Sequence, residues 1–190
     1  MNICWVDIGC HDPDAAAAFY GALFGWIYTE PDEDGYRIAH RDGRQVSGLG
    51  RAEDPGPPYW TVVLGVDDIH ASAREFAAKG ARFVVPPAQV GDRGHTAVAV
   101  DPVGARISLW QAGTLAGTRV TDFADITLST DRPAEARAFY GDGLKTVDGP
   151  TFWLVSFTAT AAAALSLGAT RLTATTFRDP AGAIFGIREG

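Results

Sequence analysis

The sequence predicts an α+β protein built from a repeated unit of strand, helix and further strands. Three observations carry that expectation. Asp12-Pro13-Asp14, an alanine-rich run and Phe19-Tyr20-Gly21 return as Asp131-Arg132-Pro133, an Ala/Arg run and Phe139-Tyr140-Gly141. A second signature stands near the end of each half, Asp101-Pro102-Val103-Gly104-Ala105 and Asp179-Pro180-Ala181-Gly182-Ala183. Between the signatures, β-branched stretches alternate with stretches of helical spacing. Self-similarity of this kind means two copies of one architectural unit.

In chain order, Ile3 to Ile8 reads as a strand, with Val6 and Ile8 on one face and Trp5 and Asp7 on the other. Pro13 to Phe24 reads as a helix. Asp12 suits its cap, Pro13 its first position, and Ala17, Tyr20 and Phe24 recur at helical spacing. Tyr36 to His40 and Val46 to Leu49 flank Asp42-Gly43, the signal of a tight hairpin turn. Tyr59 to Val66 is a strand, Asp67-Asp68 can cap the helix Ile69 to Lys79, and Gly80 stops it. Arg82 to Val85, His95 to Val100 and Arg106 to Trp110 complete the first copy as strands. The proline-rich segment Arg51 to Pro58 links its two halves, and Gly113 to Arg119 links the copies.

The second copy is abbreviated. Phe19 and Phe139 stand 120 positions apart, Trp60 and Trp153 stand 93 apart, and Asp101 and Asp179 stand 78 apart. It is therefore shorter by 27 residues before its tryptophan and by 15 after it. The first loss falls on the hairpin. The expected division is a complete domain over 1–113 and a shortened one over 119–190, the latter without a full pocket of its own.

Composition narrows the function classes. Of 190 residues, 46% are hydrophobic and 21% charged, ordinary for a globular chain with a packed core. A net charge of −7 argues against a nucleic-acid partner, which wants a basic face. No apolar run approaches the roughly 18 residues of a membrane span, and the start of the chain does not read as a signal peptide. Cys4 and Cys10 sit on one predicted strand about 20 Å apart, too far to bridge, so reduced thiols and a cytoplasmic location are expected.

Several of these pieces together resemble the vicinal oxygen chelate superfamily of glyoxalases, bleomycin-resistance proteins and extradiol dioxygenases. They are the opening strand, Phe19-Tyr20 with Leu23-Phe24-Gly25-Trp26, Val66-Asp67-Asp68-Ile69, and Asp101 to Ile107. The resemblance covers most of 1–112 and, more thinly, 120–188. It is particularly similar to tandem two-domain glyoxalase-like proteins. It implies paired βαβββ modules whose sheets curl into a half-open barrel around a small-molecule site.

The resemblance also implies where a metal would be held. Carried over by position, the first, third and fourth ligands become Trp5, Thr61 and Ser108, and the second falls near Gly48. In the shortened copy the first, third and fourth become Ala124, Leu154 and Gly186. A divalent cation wants converging His, Cys or carboxylate groups, and these positions supply none. No metal and no cofactor are expected.

What remains is the cup. If Trp5 faces it, so does Asp7, joined by Thr61, Val63, Arg106, Ser108 and Trp110, with His95 near the mouth. Two indoles with a few polar groups suit an aromatic or polycyclic ligand. The expected function is metal-independent binding of such a molecule. The alternative is a metal-free isomerase, cyclase or hydrolase in which Asp7 moves a proton and Arg106 or Ser108 steadies charge. A third reading is a scaffold.

Each feature has a plainer account. Asp7 can simply pair with Arg106, Trp5 and Trp110 can be core, and His95 can be incidental. Trp60 is expected to face away from the cup. Tyr36 reads as an exposed strand aromatic, with a lid or wall as the other option, and sheet curling accounts for Gly48, Gly50 and Gly65. Family members pair domains to complete their cups. The tandem copy could serve as an internal partner in a monomer, and uncovered sheet edges could instead pair in a homodimer, which is the expectation.

Overall fold

The computed structural model describes residues 1–52, 55–115 and 123–189, with side chains at 123 and 124 outside the description. The linker positions 53, 54 and 116–119, the start of the shortened copy at 119–122, and the Ala124 side chain therefore lie outside the described residues.

Four helices and fourteen strands are assigned among the described residues. The first half runs β1 (Ile3–Cys10), α1 (Pro13–Phe24), β2 (Ile27–Tyr28), β3 (Arg37–Arg41), β4 (Arg44–Arg51), β5 (Tyr59–Gly65), α2 (Ile69–Ala78), β6 (Arg82–Val90), β7 (Gly94–Val100) and β8 (Arg106–Ala112). The second half runs β9 (Phe123–Ser129), α3 (Pro133–Tyr140), β10 (Thr146–Val147), β11 (Phe152–Thr158), α4 (Ala161–Ser166), β12 (Thr170–Arg171), β13 (Thr176–Arg178) and β14 (Ile184–Arg188). Strand order is β2-β3-β4-β1-β5-β8-β7-β6 in one sheet and β10-β9-β11-β14-β13-β12 in the other. Both sheets are open, and the architecture is the mixed α+β one expected.

Local chemistry explains the elements. Asp12 Oδ1 accepts from the Ala15 N–H at 3.0 Å, Pro13 fills the first turn, and Gly25 ends α1 at φ 71°. Asp68 caps α2 in the same way, accepting from the Ala71 N–H at 2.9 Å. Asp42 and Gly43 both take positive φ, 51° and 74°, the conformation a tight hairpin turn requires, and they join β3 to β4. Strand β6 runs five residues beyond the expected end at Val85. Pro86 and Pro87 sit in a register break between Val85 and Ala88 on the edge of the sheet, where their missing N–H groups cost no ladder bond.

The missing hairpin has a visible consequence. In the first sheet β1 pairs in parallel with β4, the second strand of the hairpin. In the second sheet β9 instead pairs in parallel with the short β10, Thr146 opposite Leu128, with no intervening hairpin.

The chain folds into two compact units that are interleaved in sequence. One comprises Met1–Trp5, Thr61–Arg119 and Thr127–Trp153; the other comprises Val6–Trp60, Val120–Ile126 and Leu154–Gly190. The second unit has an aromatic core around α1. Tyr20 meets Trp60 edge-on at 5.3 Å and Phe185 at 5.8 Å, while Phe24 lies 4.8 Å from Phe157. Trp60 is buried in that core. The first unit buries Val62, Ala97, Ala99, Ile107 and Leu109 completely, and Phe76 meets Phe139 edge-on at 5.0 Å.

Candidate functional site

The expected site residues fall in both units, and each unit is described by itself. In the Val6–Trp60 segment, Val6, Ile8 and Cys10 are fully buried on one face of β1, which sends Asp7 and Gly9 to the other. Asp7 lies opposite Gly48 of β4, and Gly9 lies opposite Gly50. This face is paved with glycine, and two tyrosine rings lie on it. A Cβ added at Gly9 would sit 3.3 Å from the Tyr59 ring, and one at Gly50 would sit 3.4 Å from the Tyr36 ring.

Gly48 is the tightest point. A Cβ there would overlap the Tyr36 hydroxyl oxygen and Asp7 Oδ1. Those two groups are joined by a short hydrogen bond, Tyr36 Oη donating to Asp7 Oδ1 at 2.6 Å. Tyr36 is delivered by its own loop. The Asp32 carboxylate accepts from the Tyr36 N–H at 2.9 Å and from the Asp34 N–H at 3.1 Å, while Gly35 takes φ 78°. Sheet curling alone therefore does not account for Gly48. Tyr36 is not an exposed aromatic but half-buried, and it is the functional candidate that sequence reasoning undervalued.

In the other unit, strand register makes rows of the remaining residues. Val63, Ser108 and Val98 are aligned across β5, β8 and β7. The next row holds Gly65, Trp110 and Thr96, and Arg106 is aligned with Val100. Thr61, two residues before Val63, shares its face. Thr61 and Ser108 are buried, at 6% and 8% exposure, while Arg106 and Trp110 are half-buried. Trp110 is held locally: its indole N–H donates to the Leu115 carbonyl at 3.1 Å and its ring packs over Gly94. Trp5 is buried at 9% exposure.

His95 departs from the expected grouping. It aligns with Gln111, one residue out of phase with Trp110, so it lies on the opposite face. Gln111 Oε1 accepts from the N–H of Ile69, the first residue of α2, which identifies that face as the helix side.

The carried-over metal positions do not fit a cation. Trp5 offers no acceptor, Thr61 and Ser108 offer neutral hydroxyls, and the side-chain space at Gly48 is taken by Tyr36 and Asp7. In the shortened copy, the space above Gly186 is filled by the Ser156 hydroxyl. No cluster of three or more His, Cys, Asp or Glu side chains that could hold an ion occurs among the described residues.

The described residues of the Val6–Trp60 unit line clefts of two kinds. A polar one of about 570 Å³ is lined by Asp125, Ser156, Arg171, Arg188 and Glu189 among others. A smaller one of about 190 Å³ lies beside the Arg37–Asp14 ion pair and Arg51.

Residues 4–110 match the family model described as a glyoxalase-like domain. A Mycobacterium tuberculosis protein named "Putative glyoxylase CFP32" is 34% identical over an alignment of 148 positions that covers 72% of this chain and 57% of that protein. A Streptomyces peucetius protein named "Anthracycline biosynthesis protein DnrV" is 32% identical over an alignment of 158 positions that covers 72% of this chain and 58% of that one. The chain thus spans somewhat more than half the length of these curated relatives. Among solved structures, the Mn(II)-bound glyoxalase from Novosphingobium aromaticivorans matches with a TM-score of 0.66 at 19% identity, covering 99% of this chain and 81% of that one. Homoprotocatechuate 2,3-dioxygenase from Arthrobacter globiformis matches with a TM-score of 0.70 at 12% identity, covering 100% and 80%. At these identities the structural likeness speaks for the fold. The matched domain and the relatives above 30% identity mean that this chain belongs to the glyoxalase-like family.

Proposed function

We propose that this protein is a metal-independent member of its family that binds an aromatic or polycyclic small molecule. The observation that carries the reading is the closure of Gly48 by the Tyr36–Asp7 hydrogen bond, at the position where the resemblance places a metal ligand. Hydroxyls and an indole occupy the other three positions. In the unit that holds β7 and β8 the proposed ligand contacts are Trp5, Thr61, Val63, Arg106, Ser108 and Trp110, with aromatic area for affinity and few polar groups for orientation, and in the Val6–Trp60 unit the proposed contact is Asp7. A relative named for anthracycline biosynthesis supports a polycyclic aromatic ligand.

A second reading is a metal-free enzyme with Asp7 as general base, reached by a substrate proton through the hydrogen bond from Tyr36. Residues 1–113 act as the complete domain and 119–190 as a shortened copy. A cytoplasmic homodimer completes the proposal; no helix among the described residues is long and apolar enough to cross a membrane.

Titration with 1,4-dihydroxyanthraquinone, followed by tryptophan fluorescence, tests the reading. Saturable one-to-one binding is expected, and its absence contradicts the aromatic-ligand assignment. Mass analysis of the recovered compound then separates the two readings, because a carrier returns it unchanged.

A further inference from the structure

One end of the second sheet holds a cleft of about 570 Å³, a size that suits a small organic ligand. Asp125 near the start of β9, Ser156 near the end of β11, Arg171 of β12, Thr175 before β13, and Arg188 and Glu189 at the end of β14 supply its polar lining. All of them belong to one compact unit.

The charged groups of the lining differ in how far the chain already occupies them. Both acids accept backbone bonds: Asp125 Oδ1 from the Ile126 N–H at 2.9 Å, and Glu189 Oε1 from the Ala161 N–H at 3.5 Å. The two guanidinium groups have no ion-pair partner among the described residues. Arg171 is held instead over the Phe177 ring, 5.4 Å from its centroid. Register makes the two arginines separate anchors. Ser156 lies opposite Gly186, two residues before Arg188, so Ser156 and Arg188 share one face of the sheet. Arg171 lies opposite Phe177, and Phe177 opposite Phe185, so Arg171 belongs to the other face. Both line the cleft, and they reach it from opposite sides of the sheet end.

We propose that this cleft binds small organic acids with two anionic groups, carboxylate or phosphate, one held by Arg171 and the other by Arg188. A guanidinium fork matches the paired oxygens of either group. The Ser156 and Thr175 hydroxyls add donors, while Asp125 and Glu189 disfavour further negative charge, so the rest of the ligand is neutral. The shortened copy thereby has a ligand of its own. This assignment is independent of the aromatic-ligand reading, none of whose residues lines the cleft.

Calorimetric titration at fixed ionic strength tests it, with glutarate, 3-phosphoglycerate and the neutral analogue glutaramide. The chains compared are wild type, Arg171→Gln, Arg188→Gln and Arg178→Gln. Arg178 is exposed on β13 and lies outside the lining, so its variant controls for diffuse attraction. Wild type should bind one or both acids one-to-one and glutaramide at least tenfold more weakly. The tighter acid identifies the second anionic group. Arg171→Gln and Arg188→Gln should each weaken the acid by about tenfold or more, the loss of a charge-assisted anchor, and Arg178→Gln should not. Melting curves confirm that all three variants are folded. Absence of saturable binding by both acids overturns the proposal. So does an equal loss in all three variants, or undiminished binding by either Arg171→Gln or Arg188→Gln.

Discussion

The Tyr20 hydroxyl donates to Asp179 Oδ2 at 2.8 Å across 159 positions of sequence. Tyr140 donates to Asp101 Oδ2 at the same distance. The aromatic signature of each half is thus bonded to the Asp-Pro signature of the other. Each aspartate uses its second oxygen to build its own turn: Asp179 Oδ1 accepts from Ala181, Gly182 and Ala183, and Asp101 Oδ1 accepts from Ala105. The two recurring motifs are one device, a turn whose spare carboxylate oxygen anchors a helix. These bonds join distant segments inside each compact unit and help explain why the units are interleaved.

Removing the Tyr20 hydroxyl should be costly. Tyr20 is completely buried, and burial together with Asp179 holds its hydroxyl protonated far above the ordinary tyrosine range. Tyr20→Phe strands a buried carboxylate oxygen, with an expected loss of about 1.5–3 kcal/mol in urea unfolding. Asp179→Ala should cost more, because three turn N–H groups lose their acceptor as well. Tyr140→Phe should cost less than Tyr20→Phe, since Tyr140 is only half-buried.

Asp101 should leave a pH signature. Burial raises its pKa above the usual carboxylate value, against the lowering effect of bonds from Tyr140 and Ala105. The folded state therefore keeps this proton to higher pH than the unfolded chain does. Its contribution is fully present below the ordinary carboxylate pKa and is lost as pH rises through the raised value. Asp101→Asn cannot titrate there. Urea unfolding from pH 4 to pH 7 should show wild type losing stability relative to the variant as pH rises.

The two thiols should separate by reactivity. Burial, with help from Asp179 and Asp12, pushes the Cys10 thiol up to about 11, and the side chain is 1% exposed. Cys4 is half-buried. Alkylation at pH 8, counted by mass, should modify Cys4 in the folded protein and reach Cys10 only after denaturant is added. The same shift makes the Cys10 contribution to stability present below pH 9 and lost as pH rises toward about 11.

Much of the fold was legible because its signals are local. Asp12, Pro13 and Gly25 bound α1, and Asp42-Gly43 marks the hairpin whatever happens elsewhere in the chain. The Tyr20–Asp179 bond was not legible, because nothing near either residue points across the intervening sequence. Tyr36 was undervalued because its partner is set by the register of β1 against β4, and register is a tertiary property. The side of the sheet that His95 takes is hidden for the same reason: a shift of one residue on β7 exchanges the faces of the sheet. The run of β6 through Pro86-Pro87 was cut short because proline disfavours strands except at an edge, and edge position is invisible in a linear pattern.

The measurement that tests the central claim most directly is the affinity for anthraquinone-2-sulfonate, an aromatic probe without a chelating hydroxyl, in excess EDTA, compared with that after addition of Mn(II) or Zn(II). The Tyr36–Asp7 closure of Gly48 predicts one unchanged dissociation constant under all three conditions. Binding that is abolished by the chelator and restored by a stoichiometric metal ion would contradict it.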